Sequence, residues 1–222
     1  MQRIPEPELM ESAAQAEAYA AADFDAANSD FMRHLASLLQ GEAVAGHVLD
    51  LGCGPADICL RLAHAHARAE IHALDGSAAM LACARARLAQ APALAGRIRL
   101  LHQVLPVRSL PASRYELILS NSLLHHLHDP AVLWTTVRDF GASGTGVLVM
   151  DLCRPVSPAA ARQIVEQYSG AEPAVLQQDF YNSLLAAFTP EEVVVQLQAA
   201  GLEMLRVRLV SDRHLLVSGR LP

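Results

Sequence analysis

Val48-Leu49-Asp50-Leu51-Gly52-Cys53-Gly54-Pro55-Ala56-Asp57 decides the fold. A short apolar run of the kind a buried strand uses leads straight into two glycines one residue apart and a proline, so the strand must stop and the chain must turn tightly. Pro55 suits the first turn of a following helix, whose apolar positions are Ile58, Leu60, Leu62 and Ala63. Glycines at such a turn let the backbone come close to a ligand at the carboxyl edge of a sheet.

Outward from this turn the same alternation repeats. Ile71 to Leu74 reads as a strand, Ser77 to Ala91 as a helix with an N-capping serine, and Ile98 to Leu101 as a strand. Tyr115 to Ser120 and Gly146 to Asp151 are further strands, separated by a helix from Pro130 to Phe140. Thr189-Pro190-Glu191-Glu192 announces a late helix, and Leu205 to Val210 with Leu215 to Gly219 reads as a closing hairpin around Ser211-Asp212-Arg213-His214. Upstream, the pattern from Glu6 to about Gln40 reads as two helices, the second capped by Asn28 or Ser29. Near-continuous apolar strands separated by helices need a parallel sheet covered on both faces. The expected fold is therefore doubly wound α/β, with a Rossmann-like seven-stranded sheet, mostly parallel, an antiparallel C-terminal hairpin strand and an N-terminal helical lid. The expected boundaries within one domain, 1–222, are 1–43 for the helical lid, 44–151 for the cofactor-binding core, 152–200 for an acceptor-side insertion and helix, and 201–222 for the hairpin.

Composition narrows the chemistry. All 17 basic side chains are arginine and there is no lysine, which excludes a Walker-type phosphate lysine and Schiff-base catalysis. A net charge of -6 fits poorly with a nucleic-acid backbone. No apolar run approaches the ~20 residues of a bilayer span, and Met1 to Glu6 is not followed by a signal-type apolar stretch, so no membrane association is expected. Alanine supplies 39 residues, which spreads the hydrophobicity thinly over helices. Cys53, Cys59, Cys83 and Cys153 show no CxxC pairing, so neither a zinc site nor a disulfide framework is expected, and a reducing cytoplasm is.

Asp75 stands 23 residues past Gly52 at the end of the next strand, where a carboxylate accepts hydroxyl hydrogen bonds from a ribose. Glycine turn and carboxylate together point to an adenosine cofactor. A pyrophosphate wants a third glycine, and Pro55, Ala56 and Asp57 stand there instead. Carboxylates at Asp50 and Asp57 favour a ligand with a positive centre, such as a sulfonium with an ammonium group. At this point the chain resembles the class I S-adenosylmethionine-dependent methyltransferases, over roughly residues 44–151. The resemblance is carried by Leu49-Asp50-Leu51-Gly52-Cys53-Gly54-Pro55, by Leu74-Asp75-Gly76-Ser77-Ala78-Ala79-Met80, and by Tyr115 to Asn121 running into Leu124-His125-His126-Leu127-His128-Asp129-Pro130.

That resemblance implies S-adenosylmethionine as cofactor and S-adenosylhomocysteine as product. It places Asp50, Gly52, Cys53 and Gly54 under the methionyl part, Asp75 on the ribose, Gly76 or Met80 against adenine, and backbone oxygens of Asn121 or Ser120 on the ammonium group. Where the family often has an acid for the adenine amino group, this chain offers Gln103, whose amide oxygen can accept that hydrogen bond. Glu116 replaces an aspartate, in a role expected to be structural. Tyr19, on a lid helix, is a candidate for the cofactor carboxylate, with simple core packing as the alternative.

His125, His126 and His128 with Asp129 lie just past the fourth strand, where the family's acceptor sits. His126, and after it His125, is the candidate general base, since an imidazole near its ~6.5 reference pKa takes a proton from an acceptor hydroxyl, amine or acidic carbon. Capping of the next helix is the alternative. No metal site is expected, because adjacent histidines in a strand or loop point apart. The stretch from Asp151 to Phe188, with Arg154, Tyr168, Asp179, Phe180, Tyr181 and Asn182, is expected to face the acceptor, or else to be a surface packing helix; Arg213 and His214 could contact an anionic acceptor. The expected function is methyl transfer to a small-molecule acceptor. The alternatives are a protein that holds the cofactor without transfer and, against the missing third glycine, a nicotinamide-dependent oxidoreductase.

Overall fold

A computed structural model describes residues 1–222. The strands are β1 (His47–Leu51), β2 (Glu70–Asp75), β3 (Ile98–His102), β4 (Leu117–Asn121), β5 (Gly146–Leu152), β6 (Arg206–Leu209) and β7 (His214–Arg220). They form one seven-stranded sheet in the order β3-β2-β1-β4-β5-β7-β6. All pairs from β3 to β5 are parallel, while β7 runs antiparallel to both β5 and β6. The expected class is therefore the observed one. Strand order reverses between β1 and β4, which opens a crevice at their carboxyl ends.

Period-two alternation builds both faces of this sheet. Val48, Leu117, Leu119, Leu148 and Leu216 join a core with Phe31, Leu62 and Leu81, so helices α2 (Asp25–Leu39), α3 (Asp57–Ala65) and α4 (Ala78–Gln90) cover that face. Their neighbours Leu49, Ile118, Val147, Val149, Leu215 and Val217 join the opposite core with Trp134 and Leu197, under α6 (Ala131–Phe140) and α9 (Pro190–Ala200). Ser77 caps α4 through Met80 N, and Thr189 with Glu192 forms a reciprocal capping box on α9.

Four expectations are corrected. The first helix, α1 (Ala13–Ala21), begins only after Ser12; residues 1–12 form an extended strap, because Pro5 and Pro7 remove amide donors and hold their predecessors out of the helical region. Asn28 is not a cap but a buried residue inside α2, which starts earlier because Asp23 Oδ1 accepts the Asp25 N–H at 2.9 Å. Pro55 precedes the helix instead of opening it, since Ala56 turns through φ 68° before α3 begins at Asp57. Residues 158–186 form a helical hairpin, α7 (Pro158–Ser169) and α8 (Ala174–Ala186), with its own small core of Ala161, Val165 and Leu184.

The strap is tied across the carboxyl edge of the sheet. Ile4 N–H donates to Leu185 O, and the Arg3 guanidinium donates to the carbonyls of His125 and Leu127 at 2.8 and 3.0 Å. Farther along, Ser77 Oγ donates to Met10 O at 2.6 Å.

Candidate active site

A cavity of about 380 Å³ occupies the crevice at the strand-order reversal, within the size range of small-molecule sites. Its floor is the turn after β1. Gly52 and Gly54 have φ of 72° and 51°, and Gly52 N and Cys53 N both donate to Leu74 O, which locks the turn against the end of β2. A side chain at Gly52 would meet Leu123 Cβ at 2.9 Å, so only glycine allows this approach.

Asp75 closes the same unit. Its Oδ2 accepts from Gly54 N and its Oδ1 from Ser77 N, each at 2.8 Å. Burial raises its pKa, opposed by those two backbone donors. Helix capping does not explain this residue, because Ser77 Oγ itself receives the Met80 N–H at 3.1 Å. Each carboxylate oxygen keeps a further lone pair, so the side chain can still receive hydroxyl donors from the cavity.

Asp50 is buried beneath the turn and receives the Cys59 thiol at 3.0 Å. Desolvation pushes its pKa to about 6, with the Asp75 charge adding to the rise. Asp57, in contrast, pairs with Arg87, whose guanidinium also donates to Ala20 O and so holds α1 onto α4. The expectation that both carboxylates present free negative charge is corrected: Asp57 is balanced.

Farther along the wall, Gly76 lies under Leu9 and Val104, which a Cβ there would meet at 2.7 and 3.2 Å. Met80 adds another apolar surface, and Gln103 Oε1 is buried in the cavity wall with no hydrogen-bond partner. Asn121, the last residue of β4, likewise has an orphaned Oδ1, while its Nδ2 reaches Asn28 Oδ1 at 3.5 Å. Tyr19 lines the cavity and packs against Phe24, ring centres 4.7 Å apart; burial and the nearby Asp57 raise its phenol to about 12. Flat apolar walls, an orphan acceptor and a buried carboxylate beside a glycine cradle fit an adenosine ligand.

The opposite wall comes from the 3-10 turn Leu124–His126, which the chain enters through Ser122 at φ 58°. Asp151, at the end of β5, anchors this turn: its Oδ2 accepts Leu124 N at 2.6 Å and its Oδ1 pairs with His125 Nδ1 at 2.5 Å. Burial opposes charge on His125, but Asp151 and Glu6 outweigh it and its pKa is raised. His126 reaches the cavity, with His128 and Asp129 beside it. Its Nδ1 lies 3.1 Å from Glu6 Oε1, off the line a hydrogen bond requires.

Most expected residues meet at this cavity: Tyr19, Asp50, Gly52, Cys53, Gly54, Asp75, Gly76, Met80, Gln103, Asn121 and His126 all line it. Of the two residues expected to offer a backbone oxygen, Asn121 lines the cavity and Ser120 does not; the Ser120 side chain stays inside the sheet, its Oγ donating to Leu51 O at 3.0 Å. His125 does not either; it turns inward to Asp151. None of the residues 151–188 lines the cavity, so of the two readings open for this stretch, facing the acceptor or packing on the surface, the lining favours packing. Arg154 is buried between Ala187 O and Glu192, and Tyr168 sits under Arg213 with its hydroxyl on Asp212. His214 bonds Ser211 in the hairpin turn. The α7–α8 hairpin instead backs the strap and α1, through Ser183 Oγ donating to Glu6 and Gln15 Nε2 of α1 donating to Asp179. Missing from the expected set are Glu8, Leu9 and Met10, which line the cavity, and Glu6 behind His126; their signal is the pair of prolines in a stretch that otherwise counts as helical.

A family model described as a methyltransferase domain matches residues 48–144. An uncharacterized methyltransferase of Mycobacterium tuberculosis is 37% identical over 108 residues, 49% of this chain and 51% of the relative, so the match spans about half the length of each. Among solved structures, a putative S-adenosyl-L-methionine-dependent methyltransferase from Methanococcus maripaludis superposes with a TM-score of 0.69 at 16% identity, covering 100% of this chain and 98% of the other. A SAM-dependent methyltransferase from Aquifex aeolicus gives 0.67 at 16% identity, covering 93% and 97%.

Proposed function

We propose that this chain, whose residues 48–144 match a methyltransferase domain family, transfers a methyl group from S-adenosylmethionine to a small-molecule acceptor. The observation that carries the reading is the hydrogen-bonded unit of Gly54 and Asp75 at the strand-order reversal, with His126 on the other wall of the same cavity.

When bound, the cofactor supplies a methyl on a positive sulfur, a group that leaves as a neutral thioether in an in-line displacement. The chain's own residues then have four tasks. Gly52 and Gly54 bring backbone against the ligand, and Asp75 takes the ribose hydroxyls. Gln103 Oε1 accepts from the adenine amino group, between Leu9, Met80 and Val104. Asp50 and the Asn121 carbonyl face the positive methionyl end. His126 takes the acceptor's proton, with its Nδ1 3.1 Å from Glu6 Oε1. Alignment and exclusion of water supply most of the acceleration, which is the task of Tyr19, Phe24 and the strap.

A small-molecule acceptor is favoured by the cavity's size and by its lining, which contains no arginine, on a chain with net charge -6. No helix is long and apolar enough to cross a membrane. The four free thiols suit a reducing compartment, for which we propose the cytoplasm. The test is twofold. Calorimetry should show S-adenosylhomocysteine binding and no NAD binding, and the reverse result ends this reading in favour of an oxidoreductase. Label from a tritiated methyl donor should then reach at least one member of a broad acceptor panel. Tight cofactor binding without any transfer would favour a protein that only holds the cofactor.

A further inference from the structure

Where the strap crosses the 3-10 turn, three side chains bring one possible ligand atom each to one place. Glu6 Oε1 lies 3.6 Å from His125 Nε2 and 3.1 Å from His126 Nδ1, and the ligating atoms of all three residues fall within 4.8 Å of one another. Adjacent histidines diverge in a strand, but here the 3-10 turn places their rings 4.1 Å apart between centres.

The protonation pattern sharpens the point. Asp151 already accepts the Leu124 and Leu152 amides, so it is an ionised acceptor, and the His125 nitrogen 2.5 Å from it must be the N–H donor. That fixes the tautomer, so Nε2, the ring nitrogen facing Glu6, is the atom that a metal ion would take in place of a proton. His126 Nδ1 is buried and has no hydrogen-bond partner. Ligand atoms about 2.0–2.1 Å from a tetrahedral zinc ion sit about 3.3 Å apart; the two separations from Glu6, 3.1 and 3.6 Å, lie close to this, and the two histidine nitrogens, within 4.8 Å of each other, draw together on binding. A carboxylate on the far nitrogen of a ligating imidazole is the usual outer support of such sites, and Asp151 supplies it.

We propose that Glu6, His125 and His126 form a binding site for a divalent transition-metal ion of the zinc type, supported by Asp151 and leaving at least one coordination position for water or another ligand. Because Glu6 belongs to the strap and the histidines to the cavity wall, the ion clamps residues 4–10 over the cavity. One consequence rests on the methyl-transfer reading: ligation through Nδ1 puts the ring proton of His126 on Nε2, so a metal-bound His126 donates a hydrogen bond and takes no proton.

The test uses the untagged full chain, stripped by a chelator and titrated with Co²⁺ and then Zn²⁺. One equivalent of Co²⁺ should produce the intense visible absorption of a low-coordinate site, and Zn²⁺ should displace it. Glu6→Gln and His126→Gln should each weaken binding at least tenfold, whereas His47→Gln, at the other edge of the sheet, should leave it unchanged. Bound Zn²⁺ should slow hydrogen exchange of amides 4–10 in the wild type and not in Glu6→Gln. The proposal is overturned if no saturable binding is seen, in which case a proton on His125 answers the local charge. It is equally overturned if either cluster variant binds like wild type, or if His47→Gln carries the loss. None of these readouts needs the methyl donor, so failure here and failure of the transferase reading are separable.

Discussion

Asp75 Oδ2 accepts the Gly54 backbone N–H at 2.8 Å, which makes the end of β2 and the glycine turn one hydrogen-bonded unit. Asp75→Ala removes both the ligand acceptor and this tie. Cofactor affinity should fall by about 1–3 kcal/mol, the scale of lost charge-assisted hydrogen bonds. Calorimetric titration with S-adenosylhomocysteine checks this, and unchanged affinity would remove Asp75 from the site.

Gly52→Ala tests the turn itself. The residue sits at φ 72°, and its new Cβ would stand 2.9 Å from Leu123 Cβ, a body of side chain that cannot swing aside. A left-handed non-glycine residue costs about 1–2 kcal/mol before any clash. The variant should unfold earlier in urea and bind S-adenosylhomocysteine more weakly. Wild-type values in both assays would mean that the turn relaxes freely and that glycine is dispensable there.

How far the site was legible follows from these same residues. The glycine turn, Asp75 and the alternation of Val48 with Leu49, or Leu117 with Ile118, are local signals, and the sheet with its strand-order reversal follows from them. Even Gln103 and Tyr19 reach the cavity as their positions imply. What failed was direction. Ser120 and Asn121 are neighbours, yet only Asn121, the last residue of β4, lines the cavity, while the Ser120 side chain is bonded to Leu51 O inside the sheet. His125 and His126 split in the same way once Asp151 captures the first. Apolar spacing from Glu6 onward predicts helix, whereas Pro5 and Pro7 hold residues 1–12 extended. Nothing in the periodicity of α7 and α8 says against which surface they dock.

Asp50 gives a pH dependence whose sign can be worked out. Its folded pKa, about 6, lies above the ordinary 3.8. Between those values the folded chain holds the extra proton, so the cofactor-free protein loses stability as pH rises through this window. Asp50→Asn should therefore raise the melting temperature of the cofactor-free protein more at pH 7 than at pH 5. A positive ligand prefers the ionised carboxylate, so S-adenosylmethionine affinity should fall as pH drops through about 6, and Asp50→Asn should flatten that profile. Identical profiles for the two proteins would exclude Asp50 as the responsive group.

His126 is the imidazole that combines access to the cavity with a carboxylate at 3.1 Å. His125 is held inward by Asp151, and His128 is tied by its Nε2 to Glu6 O at 2.8 Å. If His126 takes the acceptor's proton, His126→Ala should lower the turnover of the metal-free protein by roughly 10²–10⁴-fold, the range for a lost general base. S-adenosylhomocysteine affinity should barely change, because the cofactor contacts lie on the other wall. The comparison must be run on an acceptor that needs deprotonation: with one whose nucleophile is already a free base, the same substitution should cost far less. Equal losses on both acceptor types would assign His126 to shaping the pocket, and full activity on both would leave it no role in the transfer.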